Sequence, residues 1–314
     1  MKKLSKQSFD EIRLWIYRNA RPIELAIWQY EFENGSKEVV LSALSFYQNE
    51  DGGFGNALEA DSWNPNSSPY TTLNAISKLI EIDFCDINHP ILQGIFKFLE
   101  SGIHSSENGW FFSIPSNNDY PHAPWWTYDS EANEYESIGL SAGIACFVLK
   151  FADKDSPLYK RTFSIVEKLI TKLSMSGKYG EMGVGGYCEL METIPQLGLS
   201  DRFDMDFISS TVKRLVYDSI ERDISKWIYY GKTPSSFISS PDSVFYKDNE
   251  EIMQKELDYI IEKRPSSGVW GITWSWFENN EKYLKEIAIS ENWWKADVAI
   301  RKLKLLRNFN RIEY

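Results

Sequence analysis

The chain has 314 residues, 43% hydrophobic and 25% charged, enough for one large or two ordinary water-soluble domains with a sizeable core. A net charge of −11 argues against a nucleic-acid backbone or an anionic membrane surface as partner. The three cysteines, Cys85, Cys146 and Cys188, are odd in number and form no CxxC pair, which argues against a disulfide framework or zinc ribbon and fits a reducing cytoplasm.

In chain order, helical periodicity predicts helices over 7–19, 22–33 and 37–48. The third ends in Gln48, followed by Asn49-Glu50-Asp51 and a Gly52-Gly53-Phe54-Gly55 corner, where paired glycines let the chain leave a helix sharply. A polar loop, 56–70, leads past Ser68-Pro69 into a helix at 70–83, and His89-Pro90 opens the next at 89–101. Trp110 to Ile114 reads as a short extended piece, and the proline-flanked run 122–137 as a stiff loop. Helices follow at 134–152 and, after Ser156-Pro157, at 157–175. The apolar stretch 138–151 is about 14 residues, too short to span a bilayer, and reads as a buried helix. Gly183-Val184-Gly185-Gly186 reads as a turn before a helix at 187–197. Helices are then expected at 204–222, 250–262, 280–288 and, starting from Glu291-Asn292, at 291–308, with a short extended piece at Trp270 to Trp274. The start of the chain carries basic residues but no apolar segment of the secretory kind.

The helix-then-corner unit returns at Gly109-Trp110, at Ser176-Gly177-Lys178-Tyr179-Gly180, at Lys226-Trp227 and at Ser267-Gly268-Val269-Trp270. The corner aromatics stand at 54, 110, 179, 227 and 270, and each interval has room for one helix out and one back. Stacked helical hairpins of this kind bury a continuous core, and no Pro/Gly/Ser linker divides the chain, so a single domain over 1–314 is expected.

Leu44, Gln48, Asp51-Gly52-Gly53-Phe54-Gly55 resemble the glutamine–aromatic repeat of the squalene–hopene cyclase and protein prenyltransferase superfamily. The stretches 55–61, 67–69 and 122–126 are also similar to a bacterial branch related to it. The resemblance implies an all-α fold, an α/α toroid of about six helical hairpins around a central cavity, in which the glutamine and aromatic tie helix ends together. It also implies a small-molecule ligand in that cavity. The superfamily's usual catalytic parts are not matched. The last histidine, His122, precedes Cys188, so the zinc ligands of a prenyltransferase cannot follow in order. Asp204-Met205-Asp206-Phe207 falls short of the DxDD of a cyclase and suits a helix start instead. No DDxxD run is present to hold magnesium on a diphosphate.

The remaining candidates are carboxylates and indoles. Glu59 and Asp61 lie two apart beside Trp63, and carboxylates held close in an apolar setting divide into an acid and a base. Capping of the following helix is the structural alternative. Trp125, Trp126 and Tyr128 stand in the stiff loop, and Trp274 and Trp276 alternate with Trp270 along an extended segment; all could line a cavity or plug an end of the fold. Glu189 and Glu192 are one helical turn apart. Lys295, Arg301, Lys302, Lys304, Arg307 and Arg311 give the last helix a basic face that complements the acidic remainder. These residues ask for no metal or cofactor. Three functions fit: chemistry on an isoprenoid-like apolar molecule with Glu59 or Asp61 moving the proton, glycan cleavage by paired carboxylates with indole platforms, or a non-catalytic binding scaffold.

Overall fold

In the computed structural model, which describes residues 1–175, 177–266 and 268–313, the chain is all-α, with little strand. Ser176 and Ser267, at two of the expected corners, lie outside the described residues. Two compact units are present. One comprises Met1–Ala43 and the chain from Val216 onward; the other is Leu44–Leu215. The boundaries fall inside two helices, α3 (Lys37–Ser45) and α9 (Met205–Ser219).

In the first unit, α1 (Lys6–Asn19) starts where the Ser5 hydroxyl accepts the Ser8 N–H, and it buries Ile12 and Ile16 one turn apart. Pro22 opens α2 (Pro22–Phe32), whose Trp28 packs against Phe9 and Phe32. After α10 (Glu250–Glu262) and the short α11 (Asn279–Lys282), the long α12 (Leu284–Asn308) packs on α1 and α2. The tail returns to the start of the chain: Leu4 N–H donates to Arg311 C=O at 2.8 Å, and Glu313 N–H donates to Leu4 C=O at 2.9 Å. Arg311, 1% exposed, fastens this junction by donating to the Lys2 carbonyl, to Asp258 and to Gln254.

The second unit is built on α6 (Asn133–Phe151), buried without interruption from Ile138 to Leu149. Against it pack α4 (Pro69–Glu81), α7 (Pro157–Met175) and α8 (Gly183–Gln196). A two-residue hairpin, β1 (Ser105–Ser106) with β2 (Gly109–Trp110), follows α5 (Pro90–Glu100) and also touches α6. The capping expectations hold locally. Ser68 accepts from Thr71 N–H and His89 from Ile91 N–H, while Asp204 accepts from Phe207 N–H at 3.0 Å, a helix start rather than a cyclase acid.

Three expectations need correction. Gly183-Val184-Gly185-Gly186 is the first turn of α8, not a loop. The reason is close approach: a Cβ on Gly186 would stand 2.8 Å from the Ala142 Cβ and from the Gly139 Cα, so the glycine lets α8 lie on α6. Residues 284–308 run as one helix, leaving Glu291-Asn292 inside it; Glu291 there pairs with Lys295 one turn on. Trp270 to Trp274 forms no strand. The corner aromatics otherwise behave alike: Phe54, Trp110, Trp227 and Trp270 are buried and Tyr179 is half-buried. Among the described residues, no helix is long and apolar enough to cross a membrane.

Candidate functional site

The corner after α3 positions the site. Gly52 adopts φ +92°, and a Cβ there would lie 2.1 Å from the Gly94 carbonyl oxygen on α5. The Gln48 amide donates to the Gly52 carbonyl at 2.9 Å and to the Ile91 carbonyl at 3.0 Å, tying the corner to the first turn of α5. Asp51 accepts from Gly53 N–H and from the Ser67 hydroxyl, and the Asn49 amide donates to Pro65 C=O and Ser67 Oγ. Both ends of the loop 56–68 are therefore clamped by one polar cluster.

Held in this way, the loop runs beside the stiff segment 120–127. Ser62 bridges His122, Trp63 N–H donates to Pro121 C=O at 2.9 Å, and Ala123 N–H donates to Asp61 C=O at 2.9 Å. The Asn64 amide reaches Asn117 Oδ1 at 2.9 Å, and the Asn117 amide in turn donates to Trp126 C=O at 2.9 Å. His122 Nδ1 is 2.6 Å from the Tyr120 carbonyl, which can only accept, so Nδ1 carries a proton, while Nε2 lies 3.1 Å from the Thr127 hydroxyl. Here His122 is a fixed strut between the two loops.

Glu59 and Asp61 are both 2% exposed, further inside than a loop at a cavity mouth would place them. Glu59 accepts from Asp61 N–H at 3.3 Å and from the Asn74 amide at 3.2 Å, so it bonds its own loop and α4 rather than capping that helix. Tyr70 stands one turn before Asn74 on α4 and packs on Trp126 with ring centroids 4.2 Å apart. Phe112 stacks on the same indole at 4.8 Å. Tyr70 and Phe112 are half-buried, whereas Trp126 is 4% exposed, and its indole N–H has no hydrogen-bond acceptor among the described residues. Trp63, Trp125 and Tyr128 are half-buried around this cluster's loops.

Glu189 projects from α8 and is accessible to water, yet its carboxylate lies over α6 at Gly143, beside Leu73 of α4. Desolvation pushes its pKa above the usual carboxylate range, Lys150 opposes that, and the Glu192 charge adds to it. Burial first, and the same glutamates second, push the Cys146 and Cys188 thiols up to about 12. Neither thiol is a nucleophile at neutral pH. Trp274 and Trp276 belong to the first unit: Trp274 is half-buried against Tyr230 and Trp294, and Trp276 is fully enclosed beside Tyr283.

The second unit thus brings two carboxylates and three rings to one turn of α4, at Tyr70, Leu73 and Asn74. Tyr70, Asn74 and Phe112 were not among the candidates expected from sequence. Their one legible signal is the spacing of Tyr70, Asn74 and Ser77, which places the less buried positions of an otherwise apolar helix on one face. The accessible face of α8 is similarly polar, carrying Glu189, Glu192 and Gln196. Among the described residues no group of three or more His, Cys, Asp or Glu could hold a metal ion. No protein family, curated protein or solved structure matches this chain.

Proposed function

We propose that the protein binds and acts on an oxygen-rich, ring-shaped small molecule of the carbohydrate class, on an α/α-toroid scaffold. The single observation that supports the ligand class is the Trp126 indole N–H, buried among aromatic rings with no acceptor among the described residues. Leaving such a donor unpaired costs about 1–3 kcal/mol, and a ligand hydroxyl or carbonyl relieves it. A saturated hydrocarbon chain does not. The polar faces of α4 and α8 argue in the same direction. In this reading Tyr70 and Phe112 stack on the C–H face of the sugar, and Asn74 and Glu59 take its hydroxyls. Glu189, whose pKa burial raises above the usual carboxylate range, serves as the general acid. The toroid rests on the helical content and on the Gln48–Phe54 corner, which ties helix ends as the resemblance implies.

A second reading, an isoprenoid-like ligand, is favoured by the same ring cluster, since aromatic faces stabilise a carbocation by about 0.5–2 kcal/mol each. A thermal-shift panel of mono- and oligosaccharides, isoprenoid diphosphates and squalene analogues separates them. A cognate sugar at a hundred times its dissociation constant stabilises the fold by about 2.7 kcal/mol. Trp126→Phe, which keeps a ring and removes the N–H, abolishes most of that shift. Stabilisation by the isoprenoids alone, or a sugar shift unaltered in W126F, rejects the carbohydrate reading.

A further inference from the structure

Of the six basic residues from Lys295 to Arg311 named above, five are ion-paired among the described residues. Lys295 pairs with Glu291, Arg301 with Asp297, Lys304 and Arg307 with Glu31 at 2.7 Å, and Arg311 beyond the helix with Asp258 at 2.7 Å. Lys302 has neither an ion pair nor a hydrogen bond among the described residues. Its ammonium instead lies 5.2 Å from the centroid of the Trp270 ring, which is held in place by its own N–H on the Ile260 carbonyl at 2.8 Å. The carboxyl group that acts on it electrostatically is Glu256 of α10, 4% exposed. Both Glu256 oxygens are already engaged, one by Ser235 N–H at 2.7 Å and the other by the Ser235 hydroxyl at 2.6 Å. Lys302 is therefore a half-buried amine on an indole floor, near a buried carboxyl group whose oxygens are committed to Ser235.

We propose that Lys302 captures a small aldehyde or ketone covalently, as an imine seated on the face of Trp270. An amine without a bonded partner keeps its lone pair available once deprotonated, and burial favours that form: desolvation brings the Lys302 pKa down to about 8, the Glu256 charge opposing and the Arg301 charge assisting. A neutral carbonyl suits the place better than a charged ligand, because the burial that lowers the Lys302 pKa and raises that of Glu256 disfavours any charged group there. In the step itself the Nζ lone pair forms a C–N bond as the carbonyl π pair moves to oxygen. One amine proton passes to that oxygen, giving a carbinolamine. A proton from water then lets the hydroxyl leave as water, and the nitrogen lone pair forms the C=N bond. The iminium retains the single positive charge that Lys302 had, so the indole face and Glu256 serve it as they served the ammonium. This inference is independent of the carbohydrate reading.

The test is reductive trapping on the full chain with propanal and cyanoborohydride at pH 7.5, read by peptide mass mapping. Lys302 is expected to be alkylated at least tenfold faster than the exposed Lys154, Lys213 and Lys285, an advantage that disappears in urea, where all lysines share one ordinary pKa near 10.4. Lys302→Arg removes that label alone. Because the wild-type chain supplies the decisive readout, a variant that fails to fold does not blur the result. Labelling of Lys302 at or below the rate of the exposed lysines, or an advantage that persists in urea, overturns the proposal.

Discussion

Replacing Gly52 by alanine tests whether the glycine–aromatic corner is a structural requirement. The backbone there sits at φ +92°, outside what an L-residue adopts at ease, and holding a side chain in such a conformation costs about 1–3 kcal/mol. The added Cβ would also stand 2.1 Å from the Gly94 carbonyl oxygen and 2.8 Å from its Cα, backbone atoms of a packed helix that cannot swing aside. Overpacking of this kind costs about another 1–3 kcal/mol. The two together give about 2–6 kcal/mol, or roughly 5–20 °C in melting temperature for a unit of this size. Gln48→Ala makes a milder companion. It removes the bonds to the Gly52 and Ile91 carbonyls and costs about 1–3 kcal/mol. The two positions share one corner, so the double variant should lose less than the sum. Urea unfolding followed by tryptophan fluorescence measures all three. A G52A protein within about 0.5 kcal/mol of wild type would refute the argument, since surface changes away from any special feature stay within that range.

Other expectations are as direct. Glu189 keeps its proton to higher pH in the folded chain than in the unfolded one, so folding stability falls as pH rises from the unfolded value, about 4.3, through the raised folded value. Glu189→Gln should therefore match wild type near pH 4 and exceed it near pH 8 in urea titrations, and a variant weaker at pH 8 contradicts the assignment. Arg311→Ala removes three part-buried contacts joining the tail, the N-terminal segment and α10; about 1–3 kcal/mol should be lost, read by chemical denaturation. Asp204→Ala should cost about 1 kcal/mol through the lost bond to Phe207 N–H and leave any sugar-induced shift intact, as expected of a helix cap and not of a catalytic acid.

Most helices and several of their starts were legible in the chain itself, because each depends on neighbours three or four residues away; the starts of α8 and α12 were not. Ser68, His89 and Asp204 cap where their spacing says they should, and the run from Ile138 to Leu149 is mostly apolar on all sides because that part of α6 is enclosed on all sides. Glu59, Asp61 and Trp126 were also visible as unusual residues, though their depth was not. The tertiary structure alone decided what touches what. The glycine run at 183–186 reads as a turn until α6 lies against Gly186, when that residue's missing side chain becomes a means of close packing. Asn74 and Tyr70 look like ordinary helix residues until the clamped loop brings Glu59 and the stiff segment brings Trp126 to the same turn. Lys302 is one basic residue among six in sequence, and it stands apart only because Ser235 occupies Glu256 while the other five find carboxylates. Local periodicity encodes elements; desolvation and hydrogen-bond competition between distant segments determine which side chains are left with chemistry to do.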